Sequence, residues 1–176
     1  VKPDEPLPVE VYLPWAWSCL NSQRSQGQCL AIASEVRESG RFDLVLEGIA
    51  VRAAQKTGNE ERARELQQAA VRAESGGTDG DVKPIELAWF YSFAVPHAEK
   101  ALAWANRTHS DNGESDIAKA IFAYALAMNA QPDLAAEYLG ELDQRFAIAA
   151  VARGLVLMAE GKKEEAIERW KAAVAM

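Results

Sequence analysis

From Pro14 onward the chain is cut by glycine and proline into helix-sized pieces, and none of those pieces carries a strand pattern. The breaks are predicted at Gly27, Gly40, Gly58, Gly76–Gly77, Pro96, Gly113, Pro132 and Gly161. Such residues end helices by turning left-handed or by lacking an amide proton. Between them no β-branched run alternates with period two, and no Asn-Gly hairpin occurs. The pattern predicts an all-α chain with helices over 15–25, 28–39, 42–57, 60–75, 84–94, 97–109, 116–130, 133–144, 146–160 and 162–175. Connections this short make neighbouring helices antiparallel hairpins. The long connection SGGTDGDVKP, 75–84, reads as a flexible loop from its Gly and Asp content. Ahead of the helices, VKPDEPLPVEVYLP holds four prolines in its fourteen residues. Proline has no N–H and disfavours helix in the residue before it, so 1–14 reads as a semi-extended linker and 15–176 as the helical domain.

Composition narrows the partners. The net charge is −7 over 176 residues, and no basic stripe is visible that would meet the phosphates of a nucleic acid. The most apolar stretch, Phe146 to Ala159, is short and carries Arg153, whereas a membrane span needs about 20 apolar residues. The first residue is Val1 rather than Met, which predicts that an upstream segment has been removed and leaves the compartment unread.

An internal repeat underlies the hairpins. Gly154, Gly161, Ala166, Trp170 and Ala173 stand at offsets 0, 7, 12, 16 and 19. The same offsets hold Ala123, Ala130, Ala135, Leu139 and Leu142; then Trp89, Pro96, Ala101, Ala105 and Thr108; then Val51, Gly58, Ala63, Gln67 and Ala70. Successive copies are 38, 34 and 31 residues apart. Two helices approach closely only where side chains are small, the part expected of Gly154 and Ala166. Gly161 supplies a left-handed turn. Trp170 is expected to fill the gap against the next hairpin, and such units bury both faces only by stacking.

These offsets resemble the tetratricopeptide repeat, a helix-turn-helix unit of about 34 residues. The resemblance is closest in ARGLVLMAEGKKEEAIERWKAAV, covers 82–176 well and extends in degenerate form over 15–81. Repeat packing is assigned to Gly58, Ala63, Ala101, Ala123, Ala135, Gly154, Gly161, Ala166 and Trp170. The resemblance implies a right-handed superhelix, a solenoid of about five antiparallel hairpins whose first helices line a concave face. That face usually binds a peptide or partner protein, and the family has no common catalytic chemistry. In the implied register the concave positions are Ile148, Val151, Leu155 and Met158; Ile117, Ala120, Tyr124 and Ala127; Lys83, Glu86, Phe90 and Phe93; and Val45, Gly48, Arg52 and Gln55. The C-terminal part of the face is apolar and aromatic, with Phe90, Phe93, Ile117, Tyr124, Ile148, Val151, Leu155 and Met158 as partner-contacting candidates. The opposing reading is that these helices are buried on two sides. Lys83 and Arg52 stand without the Asn residues with which some family members clamp a partner's C-terminal carboxylate.

The chemistry-bearing residues are sparse. His97 and His109 lie about three turns apart, too far to share a metal, and read as a helix cap and a charge at a helix end. HSDNGESD, 109–116, and GGTDGDVKP, 76–84, do not complete a calcium loop and read as turns, with Ser115 or Asp116 capping the next helix. Trp15, Trp17, Trp89, Trp104 and Trp170 read as inter-repeat packing rather than a ligand box. Cys19 and Cys29 lie symmetrically about a presumed turn near Arg24. They either pair as a disulfide, which would favour an exported protein, or stay reduced and buried.

The reading that follows is a non-catalytic interaction or scaffold module binding a protein or peptide, with no cofactor and no metal. Two others stay open: a self-associating structural domain, and a small-molecule site or enzyme using Tyr124, Glu86 and His97. The closing KAAVAM leaves an apolar edge, from which we expect either that the natural chain continues past Met176 or that the edge packs on another molecule.

Overall fold

The computed structural model describes residues 9–21, 26–76 and 82–176. Among them the chain forms ten α-helices and no strand. They are α1 (Val9–Asn21), α2 (Gln26–Glu38), α3 (Leu44–Lys56), α4 (Glu60–Glu74), α5 (Pro84–Trp89), α6 (Ala98–Asp111), α7 (Asp116–Met128), α8 (Pro132–Leu139), α9 (Ala147–Ala159) and α10 (Lys163–Val174). A π-helical turn, Phe90–Ala94, continues α5, and a 3-10 turn, Leu142–Gln144, follows α8. The expected turn near Arg24, residues 1–8 of the expected linker, the middle of the 75–84 loop and the side chains of Trp15 and Trp17 lie outside the described residues. The described residues form two compact units. One runs to Glu86 and includes Phe93–Val95; the other holds Leu87–Ser92 and Pro96–Met176.

In the first unit α3 is central and packs against α1, α2 and α4. Its sequence explains this: Leu44, Leu46, Ile49, Ala50, Val51, Ala53 and Ala54 are all buried and point in several directions around the helix. A helix apolar around most of its circumference has to be surrounded. It starts where the Asp43 carboxylate accepts the Leu46 N–H at 2.7 Å, and its connection to α4 turns at Gly58, whose φ is +72°.

The linker expectation is corrected over 9–14, because α1 begins at Val9 and holds Pro14 inside it. Tyr12, Ala16, Cys19 and Leu20, spaced along one helical face, are buried, while Pro14 stands exposed. An interior proline costs about 3 kcal/mol. Burial of four side chains outweighs that. Gly27 is likewise no break; it is the second residue of α2.

One buried ion pair joins α2 to α3. Glu47 is 3% exposed and accepts from Arg37. Burial raises the Glu47 carboxyl above its ordinary value of 4.5, against the opposing pull of Arg37. Below pH 4.5 both folded and unfolded chains hold the proton. As pH rises, the unfolded chain ionises first, so stability is lost until the raised folded value is passed. Urea titrations between about pH 4 and about pH 8 should therefore show Glu47→Gln gaining stability relative to the parent as pH rises.

In the second unit α7 packs against α6, α8 and α9, and α9 against α8 and α10. The close approaches fall on small residues: Ala101, Ala123, Ala135 and Ala166 are fully buried, as is Ala63 to within 1% in the first unit. Gly161, with φ +81°, turns α9 into α10. The helix expected over 133–144 is corrected: it stops at Leu139, because Gly140 adopts φ +45° and a 3-10 turn follows. Trp170 is also corrected. It lies within its own hairpin, where its Nε1–H donates to the Val151 carbonyl at 3.2 Å and its ring occupies the space a side chain at Gly154 would need.

Candidate interaction surface

Two helices of the second unit carry most of the candidate positions. Ser115 caps α7, its hydroxyl accepting the Ala118 N–H at 3.5 Å. The far end of α7 is tied to the start of α6 by Asn129, whose Nδ2 donates to the Ala98 carbonyl at 2.7 Å. Arg145, just before α9, bonds Asp116 in the first turn of α7 at 2.6 Å. The two helices therefore start side by side and run in the same direction. Each buries its small residues inward: Ala118, Ala120, Ala123 and Ala125 on α7, and Ala149, Ala150, Ala152 and Gly154 on α9.

Of the larger apolar side chains, Ile121, Phe122 and Leu126 on α7 and Val156 on α9 are buried, while the candidate positions are left partly open. Ile117 and Met158 are each 38% exposed, and Tyr124, Ile148, Val151 and Leu155 are half-buried. On α9 the four positions 148, 151, 155 and 158 recur at helical spacing, so they share one stripe. Burial raises the Tyr124 phenol above its ordinary value. Of the other candidates, Phe90 is corrected: at 1% exposure it is a core residue that offers nothing to a partner. Phe93, in the first unit, is half-buried. Among the spacing-matched positions Ala120 and Gly48 are buried too, because their small side chains let neighbouring helices close over them.

The base of this surface is anchored by a residue that the repeat pattern does not single out. Asp143, in the 3-10 turn, is 4% exposed. Its carboxylate meets Nε of Arg153 on α9 and Nε of Arg169 on α10, both at 3.5 Å. Arg153 also donates to the Gly140 carbonyl at 3.0 Å. The signal available in the sequence was Gly140, whose left-handed turn frees Asp143 from a helix and aims it at the last hairpin.

The remaining polar candidates have local duties. His97 caps α6, with Nδ1 accepting the Lys100 N–H at 3.5 Å, and its ring rests edge-on against Tyr91. Glu86 accepts the Lys83 N–H at 3.2 Å, and burial raises its carboxyl above the ordinary value. His109 lies in the last turn of α6, at the helix end expected of it, and its ring stacks on Phe122 at 5.1 Å and meets Tyr138 edge-on. Among the described residues no group of three or more His, Cys, Asp and Glu is placed to hold a metal ion, and no helix is long and apolar enough to cross a membrane.

Comparison with protein-family models, curated proteins and solved structures finds no match for this chain.

Proposed function

We propose that the chain is a non-catalytic interaction module, built of tetratricopeptide-like hairpins, that holds a peptide or partner protein against the apolar face of α7 and α9. The observation that carries this is the row of Ile117, Tyr124, Ile148, Val151, Leu155 and Met158, half-buried or exposed on two helices that run the same way. A row of this kind suits an amphipathic helix or extended segment laid along it. The burial of Ala63, Ala101, Ala123, Ala135, Gly154 and Ala166 at the repeat's small offsets supports the family likeness. On this reading the hairpins wind into a right-handed superhelix with α7 and α9 on its inner side. The capping roles of His97 and Glu86 favour binding over catalysis, since both groups are already engaged at the starts of helices.

The test is selection of peptides from a displayed library on the purified chain, followed by affinity measurements on variants. Ile117→Glu and Met158→Glu change exposed side chains and should leave the fold intact. Each is expected to weaken the selected peptides by about tenfold or more, the loss typical of a central apolar contact. Val71→Glu alters a similarly exposed side chain on α4 and should leave affinity unchanged. Peptides that bind equally well to the parent and to both α7–α9 variants would contradict the proposal.

A further inference from the structure

The hairpin of α1 and α2 buries two thiols against each other. Cys29 Sγ, on α2, donates to the Ala16 carbonyl on α1 at 3.4 Å, one turn before Cys19. Cys19 Sγ donates to Gln28 Oε1, the side chain next to Cys29, also at 3.4 Å. Further along the same hairpin, the Tyr12 hydroxyl donates to Glu35 Oε1 at 2.9 Å, which fixes the antiparallel register. Both cysteines are free and buried, on facing sides of the same hairpin.

We propose that Cys19 and Cys29 are a built disulfide pair, closed by exchange with an organic disulfide, and that the closed form staples α1 to α2. The chemistry balances in two exchanges. A thiolate of the pair attacks the organic disulfide, forming a mixed disulfide and releasing one thiolate. The second cysteine gives up its proton, attacks the protein sulfur of the mixed disulfide and expels the other thiolate. The protein dithiol loses two electrons and two protons; the organic disulfide gains both and leaves as two thiols. Burial, and next the adjacent Cys19, push the Cys29 thiol up to about 11. Its thiolate is scarce in the folded chain, so closure is slow there and the pairing expresses itself at equilibrium.

The test is a redox titration of the full chain in reduced and oxidised glutathione, followed to equilibrium in native buffer and again in concentrated urea. A staple that fits the fold must be favoured by the fold. The exchange constant for the intramolecular disulfide is expected to be about a hundredfold larger in native buffer than in urea, in line with the loop-closure effect of a short bridge. Peptide mapping should join the segments that carry Cys19 and Cys29 in a monomer, and the Cys19→Ser variant should take up a single glutathione instead. An equal or smaller constant in native buffer, or a native monomer that carries glutathione on both cysteines, would overturn the proposal.

Discussion

Replacing Gly154 with valine is expected to destabilise the second unit by about 3 kcal/mol, read as a lower urea midpoint by circular dichroism. Gly154 is buried in α9, and a Cβ built there would fall on the indole of Trp170. Helix propensity acts the other way by only about 0.3 kcal/mol, since valine is itself a weak helix former. Steric overlap wins because the indole is pinned: its Nε1–H is bonded to Val151, and the ring has no flexible end to swing aside. The pairing is testable by a double-mutant cycle. In a Trp170→Ala background the Gly154→Val substitution should cost less than about 1 kcal/mol, because the atoms it collides with are gone. Equal costs in the two backgrounds would place the strain elsewhere.

The second large effect is expected at Asp143. Asp143→Ala should cost about 2 kcal/mol, because it strips one buried carboxylate from two guanidinium groups at once. Arg153 is 23% exposed and Arg169 41%, so both recover some hydration and the loss falls short of that for a fully buried pair. Asp143→Asn keeps an acceptor oxygen and should lose less. Added salt should reduce the difference between parent and variant only modestly, since a carboxylate this buried is poorly screened. Denaturation of the three proteins at low and high ionic strength checks both statements.

Much of the helical architecture was legible because glycine and alanine act through local geometry. Gly58 and Gly161 lie in the left-handed region and mark their turns directly. Ala63, Ala101, Ala123, Ala135 and Ala166 are buried because close helix approach admits little else. What was not legible came from tertiary contacts. Pro14 argues against a helix by itself, yet the inward face of Tyr12, Ala16, Cys19 and Leu20 carries α1 through it. Gly140 resembles a tolerated glycine until its φ is known, and with it the position of Asp143 stays hidden. Phe90 matches an outward register position, but the helix turns π-helical there and the ring is buried. The candidate positions are therefore half-buried or exposed on α7 and α9, where the helices are regular, and one is buried at Phe90, where the helix departs from the 3.6-residue period.

The most direct test of the interaction reading is methyl and amide NMR on the chain, titrated with a peptide selected on it. The expected result is that shifts and line broadening concentrate on Ile117, Tyr124, Ile148, Val151, Leu155 and Met158, while α4 and the buried alanines stay unchanged. Perturbations that spare these six residues and gather on another surface would contradict it.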